Sequence, residues 1–117
     1  TLDILETICR VEGELGDRKR AVDELLATAR TARGHSNIIM EASLLGAAVE
    51  FGGARLAVDR LAELSEVIDG ELIELKLRHA RAAIDGGLDE VAARYAEIGL
   101  ELVAEAVERT PGADIGP

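Results

Sequence analysis

The sequence of 117 residues has few aromatic side chains, a single cysteine and no long apolar run. Aromatic residues make up only 2% of the chain, so alanine, leucine, valine and isoleucine must fill any core. Cys9 has no partner for an internal disulfide, and a lone thiol fits a reducing compartment, so we expect a cytoplasmic protein. The uncharged stretches, such as that from Ala42 to Val49, are far shorter than the roughly 20 residues that a membrane-spanning helix needs, so none is predicted.

Positive charge is also scarce, because 13 lysines and arginines face 23 aspartates and glutamates, for a net charge of −10. A surface of this sign repels phosphates, so we expect this segment to contact neither nucleic acid nor an anionic membrane. Hydrophobic residues make up 48% of the chain, which is enough for the core of one domain. We expect a single domain over 1–117, and because the sequence begins at Thr1 without a methionine, we expect this domain to be a fragment of a larger chain.

Apolar residues recur with the helical period in six segments, and strand signals are nearly absent. The expected helices cover about residues 2–15, 17–33, 36–51, 54–68, 71–85 and 88–109. Gly34 is the expected cap of the second helix and Ser36 the N-cap of the third, while Asp69-Gly70 and Gly86-Gly87 separate the later helices. The second and sixth helices are expected to bury two stripes: Ala21, Leu25, Thr28 and Ala32, and Val91, Tyr95, Ile98 and Leu102.

The second, fourth and sixth helices repeat when they are aligned on their glycines. Gly16, Gly52 and Gly86 are 36 and 34 residues apart, and the same small-then-large spacing follows each of them in Ala21 and Leu25, Ala57 and Leu61, and Val91 and Tyr95. A period near 34 with two helices per repeat is typical of tetratricopeptide-like hairpins. We therefore predict an all-α fold of about six antiparallel helices, with hairpins at about 2–34, 36–68 and 71–109 in a short right-handed superhelix and a tail at 110–117.

The third expected helix is unusually apolar, because only Glu41, Ser43 and Glu50 are polar between Ile38 and Phe51. A helix that is apolar all round is buried all round, so we expect it at the centre of the domain, with Gly46 allowing another backbone to come close. The alternative is that one face of this helix meets a segment that is missing.

No group of residues predicts a reaction. His35 is expected in a turn, His79 as a packed histidine with one hydrogen bond, and Cys9 as a small buried hydrophobe. Neither histidine has a second ligand at metal spacing, no glycine-rich phosphate loop occurs, and carboxylate pairs are expected by chance among 23 acids. We expect no catalytic residue, no cofactor and no metal.

Two groups of charged residues are candidate binding sites. Arg18, Lys19 and Arg20 stand where a helix begins, and such cations could bind an anion unless nearby acids (Glu14, Asp17, Asp23 and Glu24) neutralise them. The second candidate is a polar row on the fifth helix that either binds a partner or is merely solvated. It consists of Glu74, Arg78, Arg81 and Asp85.

The region from about Arg55 to Glu108 resembles the helical-repeat arm of large bacterial LuxR-family transcriptional regulators. The resembling residues are Arg60-Leu61-Ala62-Glu63-Leu64, Asp69-Gly70, Leu72, His79-Ala80-Arg81-Ala82, Gly86-Gly87-Leu88, Arg94-Tyr95-Ala96-Glu97-Ile98-Gly99 and Ala104-Glu105-Ala106. The chain departs from the family at Glu71, often proline there, at Gly87, often aspartate, and at Tyr95, usually phenylalanine. In that family an ATPase module precedes the arm and a helix-turn-helix follows it, and neither motif is found in these residues.

The resemblance implies a non-catalytic sensor or interaction domain in signal transduction, which binds a partner protein, another part of its own chain or a small-molecule inducer. The alternative is a free-standing helical-repeat adaptor or dimerisation module unrelated to transcription. We also expect self-association through the first or last helix, since the end faces of an excised solenoid are apolar.

Overall fold

The computed structural model describes residues 15–115, and six helices account for most of them. They are α1 (Leu15–Gly34), α2 (Ile38–Glu50), α3 (Ala54–Val67), α4 (Glu71–Asp85), α5 (Leu88–Glu97) and α6 (Glu101–Glu108). No strand occurs between residues 15 and 115, which agrees with the all-α prediction. The helix expected over about 2–15 falls almost entirely outside the described residues, as does Cys9.

The turns before α4 and α5 lie where glycines predicted them. Gly70, Gly86 and Gly87 have φ angles of 117°, 101° and 104°, a region that is strained for any residue with a Cβ. The expected bounds of α3 and α4 agree with the structure to within one residue.

The turn between α1 and α2 differs from its expected form. Ser36 is not the N-cap; it has a φ of 59° and lies in the left-handed position that ends α1, while Gly34 is still helical. The N-cap is Asn37, whose Oδ1 accepts a hydrogen bond from the Met40 amide at 3.2 Å. The Asn37 amide also donates to the Ala32 carbonyl at 2.9 Å and the Ser36 amide to the Arg33 carbonyl at 3.0 Å, the two bonds of a Schellman motif.

The expected helix 88–109 is wrong, because the chain breaks at Gly99 and forms α5 and α6. Gly99 has a φ of 88°, and the Leu100 amide donates back to the Tyr95 carbonyl at 2.9 Å in a second Schellman motif. The break changes which side of the following helix faces the core. Leu102 is therefore exposed rather than buried, and Ala104 and Val107 are buried in its place; Ile98, at the end of α5, is also exposed rather than buried.

The main core lies among α1, α2, α3 and α4. Its largest fully buried side chains are Leu25, Leu61, Leu64, Val22 and Val49. Thr28 was expected in the buried stripe of α1 but is exposed, because the buried side of this helix contains Val22 and Ala29 instead. The Thr28 hydroxyl donates to the Glu24 carbonyl. Within this core α2 contacts α1, α3 and α4, as expected for the central helix.

One face of α2 is nevertheless open, so the expectation that this helix is buried all round is wrong. Ile39 is 63% exposed and Met40 is 38% exposed, and Ser43 lies on the same side. Among residues 15–115, no backbone of another element lies as close to a Cβ position at Gly46 as the Lys76 side chain does. The nearest atom to the position of a Cβ there is the Lys76 ammonium nitrogen, at 3.3 Å, so Gly46 makes room for a side chain of α4.

The one charged side chain that α2 buries is paired. Glu41 is only 2% exposed, and its carboxylate accepts two hydrogen bonds from the Arg60 guanidinium of α3, at 2.6 and 2.9 Å. This bidentate pair meets the cost of burying a charge and ties α2 to α3.

A second, smaller core joins α4 to α5 and α6. It consists of Leu75, Ala82, Val91, Ala92, Tyr95, Ala104 and Val107. Residues 110–115, expected as a tail, pack back onto the helices: Ile115 is buried in the main core, and its amide donates to the Gly52 carbonyl at 3.3 Å.

The equivalent positions of the expected repeat are all buried. Its three small positions and its three large positions are all at most 4% exposed: Ala21, Ala57, Val91, Leu25, Leu61 and Tyr95. The helices form a globule of 32 × 31 × 25 Å. The tetratricopeptide-like superhelix itself stays a prediction.

Candidate functional site

An open cleft of about 510 Å³ lies between the N-terminal parts of α2 and α4. Half of its lining residues are aliphatic: Ile39, Ala42, Ile68, Leu72 and Ile73. Leu72 is 52% exposed, so with Ile39 it leaves apolar surface in contact with water at the mouth of the cleft. A cleft of this size, with apolar walls and a few polar groups, has the properties of a small-molecule site.

Among the described residues that line the cleft, Lys76 is the only cationic one. Its ammonium forms no ion pair within 4.0 Å and no hydrogen bond within residues 15–115. Every fully enclosed side-chain nitrogen or oxygen of the described residues does have a hydrogen-bond partner, so this ammonium must reach accessible space. Burial lowers the pKa of Lys76 below its usual 10.5, although the charge of Glu50 opposes the shift.

Beyond Lys76, the interior between α4 and the C-terminal part of the chain holds two more titratable side chains. His79 is 5% exposed, with its Nε2 2.8 Å from the Thr110 hydroxyl, as expected for a packed histidine with one hydrogen bond. Burial, helped by the charge of Lys76, lowers the pKa of His79 to about 4. Burial also raises the pKa of Tyr95 to about 12, so both rings are neutral at pH 7.

The polar row of α4 is a separate surface. Its four members, Glu74, Arg78, Arg81 and Asp85, are all exposed, and none forms an ion pair within 4.0 Å in the described chain. Residues two apart on a helix point about 200° apart, so Glu74 and Arg78 face away from the side of Leu72 and Lys76. The row is thus an unpaired charged surface that does not line the cleft.

The three expected anion-binding cations each have an acidic neighbour. Arg18 makes a bidentate pair with Asp114, at 2.7 and 3.0 Å, and also donates to the Phe51 carbonyl. This pairing holds the pKa of the Asp114 carboxyl below its usual 3.8. The other two cations pair along their own helix, Lys19 with Asp23 at 3.6 Å and Arg20 with Asp17 at 3.3 Å. Anion binding by this group stays a prediction.

Neither the cleft nor the role of Asp114 was predicted from the sequence. Lys76 lies on the side of α4 where Leu72 precedes it by one turn, and this apolar-then-cationic spacing was available in the sequence. The sequence has no signal for the open Ile39 side of α2 next to Leu72 and Lys76, because this exposure depends on how the helices pack. The pairing of Arg18 with Asp114, 96 positions apart, also has no local signal.

No family model, curated protein or solved structure matches the chain. Within the described range, no three histidine, cysteine, aspartate or glutamate side chains come together as a metal site. The helices from α1 to α6 include none that is both long and apolar enough to cross a bilayer.

Proposed function

We propose that this chain is a non-catalytic sensor or interaction domain of a LuxR-type transcriptional regulator. In this role it binds a partner protein, another part of its own chain or a small inducer. Binding shifts the parent protein between resting and active states, and ATPase and helix-turn-helix modules outside this segment respond. Nucleic-acid contact belongs to those modules, in line with the acidic charge of this chain.

The observation that carries the proposal is the contact between the alternate helices α2 and α4, beside an open cleft. Hairpin repeats stack through alternate helices, and their inner surfaces serve as binding sites. The family-like residues fit this arrangement, since Leu61 and Leu64 fill the main core while Leu72 remains exposed at the cleft.

The polar row is the surface we assign to a protein partner. Its four charged side chains are exposed and have no ion-pair partner among residues 15–115, so a partner with complementary charges can pair with them at little desolvation cost.

The reading frame that contains this chain tests the proposal first. If it encodes neither an ATPase upstream nor a helix-turn-helix downstream, the regulator proposal fails.

In the parent protein, the double variant Arg78→Glu and Arg81→Glu is expected to abolish the response of a reporter promoter while the melting temperature stays unchanged. Arg33→Glu, an exposed charge reversal on α1, is the matched control. An unaltered response of the double variant would remove the polar row from the proposal.

A second candidate is a free-standing adaptor or dimerisation module. It is favoured by the apolar surface of the C-terminal hairpin, where Leu102 is 81% exposed and Val103 is 37% exposed. Light scattering on the wild type and on Leu102→Asp tests this second candidate. A dimer that the substitution dissociates supports the second candidate, whereas a monomer at high concentration counts against it.

A further inference from the structure

The cleft between α2 and α4 combines apolar walls with one cation that lacks a close counter-ion. The Lys76 ammonium lies over Gly46, one helical turn beyond Ala42 and Ser43 of the cleft lining. Because Gly46 has no side chain, the lysine can lie against α2 with its charged end beyond the apolar walls.

The carboxylates around this ammonium leave it available. Glu71, which also lines the cleft, is held in a bidentate pair by Arg94 of α5. Asp69 is exposed in the turn before α4, and Glu50 acts on Lys76 only through space, from beyond 4.0 Å. Because Lys76 is partly buried and its ammonium has no paired carboxylate among residues 15–115, the ammonium has lost part of its hydration and attracts an anion.

We propose that the cleft binds an amphipathic monocarboxylate, whose carboxylate pairs with the Lys76 ammonium while its alkyl chain lies against Ile39, Ile68 and Leu72. Other ligand classes fit less well. An uncharged apolar molecule would bury the ammonium further without compensation, and a cation would be repelled by it. A small dianion without an alkyl chain would leave the aliphatic walls in water. A ligand of this class is the inducer of the proposed sensor domain, and in this respect the inference rests on the proposed function.

The chain has only two lysines, Lys19 and Lys76, which makes the test specific. The probe is decanoate, kept below its micelle concentration and titrated into protein labelled with ¹³C and ¹⁵N at lysine. We expect the Cε and Nζ signals of Lys76 to shift in a saturable way, and the pKa of Lys76 to rise because the bound carboxylate favours the ammonium. The signals of Lys19, exposed and paired with Asp23, are expected to stay in place.

Two pairs of variants locate the binding site. Lys76→Met keeps the length of the side chain but removes its charge, and is expected to weaken decanoate binding about tenfold, the effect of one charge-assisted contact. Lys19→Met is its control. Ile39→Glu places a carboxylate at the mouth of the cleft and is expected to abolish binding, whereas Leu102→Glu, at a similarly exposed apolar position, should have no effect. Circular dichroism checks that each variant is folded.

Three comparison ligands separate the contributions of the carboxylate, the alkyl chain and the sign of the charge to decanoate binding. Acetate tests the head group alone, decanol the chain alone and decylamine the opposite charge, and each is expected to bind at least tenfold more weakly than decanoate. The proposal is overturned if decanoate leaves the Lys76 signals unchanged, if decanol binds equally well, or if Ile39→Glu converts a dimer to a monomer, since the cleft would then be covered by a second copy. These outcomes leave a protein-binding regulator arm intact, while a reading frame without regulator modules leaves the binding result intact.

Discussion

Two regions of the molecule are stabilised in different ways: helices α1 to α4, and the C-terminal hairpin of α5 and α6. The first region has long helices around a continuous core, with Leu25, Leu61 and Leu64 at most 1% exposed. The hairpin has helices of 10 and 8 residues and a core of seven residues. The first region is stabilised by its larger apolar core together with the buried Glu41–Arg60 pair, whereas the smaller core of the hairpin leaves it more dependent on individual polar contacts.

Such contacts reach from the hairpin, and from residues 110–115 that follow it, back to earlier parts of the chain. Arg94 of α5 pairs with Glu71 of α4, which holds the pKa of the Glu71 carboxyl below its usual value. The Thr110 hydroxyl meets His79 of α4, and residues 113–115 bond to α1, α3 and the turn at Gly52. The end of the chain therefore closes onto the first region by specific bonds rather than by a large apolar surface.

The largest effect is expected from a charge in the main core. Leu45 is 4% exposed on α2, so Leu45→Asp buries a carboxylate without a partner and costs several kcal/mol, on the order of the stability of a whole domain. Circular dichroism should show an unfolded chain. Leu102→Asp, on the exposed side of α6, should unfold like the wild type. A soluble and fully helical Leu45→Asp protein would show that α2 is not central.

Substitutions that create a cavity are expected to destabilise only the region in which they lie. Leu64→Ala in the main core is expected to cost about 2–5 kcal/mol and to speed hydrogen exchange from α1 to α4. Val107→Ala in the hairpin core removes less apolar volume, so it is expected to lower the free energy of unfolding by about 2 kcal/mol. The faster hydrogen exchange that it causes should be confined to α5 and α6. Equal loss of protection over all helices in both variants would mean that the regions unfold as one unit.

Acid should loosen the hairpin through His79. Its pKa falls from 6.5 in a free histidine to about 4 in the folded protein, so between these values the unfolded chain binds a proton that the folded one does not. Stability therefore rises with pH across this window and is lost as the pH falls from 6.5 to 4, by about 3 kcal/mol at about 1.4 kcal/mol per pKa unit. Urea unfolding at several pH values measures the slope.

The variant His79→Gln isolates this titration, because glutamine keeps a hydrogen-bonding side chain but does not titrate. We expect a flatter dependence of stability on pH between 4 and 6.5. A slope equal to that of the wild type would assign the acid sensitivity to carboxylates instead.

The smallest effects are expected at two helix ends with the same Schellman geometry. Ser36 holds a φ of 59° at the end of α1, and Gly99 a φ of 88° at the end of α5. Ser36→Gly should stabilise the protein and Gly99→Ala destabilise it, each by about 1 kcal/mol, because only glycine adopts this conformation without strain. Thermal melts measure both. Two changes of the same sign would show that packing, and not the backbone angle, decides these positions.

The helix turns show how far the sequence could predict the fold. Gly70 and Gly86-Gly87 were read correctly because glycine next to a polar residue is a local signal. The signal at Gly99 is also local, but it lies inside an apolar pattern that continues on both sides, so the sequence favoured one long helix. At Ser36 the sequence misled, since a serine before a helix usually caps it and here it ends the preceding one.

The sequence by itself determined that the chain is helical, where most of the helices lie and which small and large residues alternate in the cores, because periodicity and glycine act over a few residues. Only the tertiary structure decided that α2 keeps one face open, that Lys76 lies over Gly46 beside the cleft, and that Asp114 returns to Arg18. These features join residues from distant parts of the chain, and their geometry depends on how whole helices pack against one another.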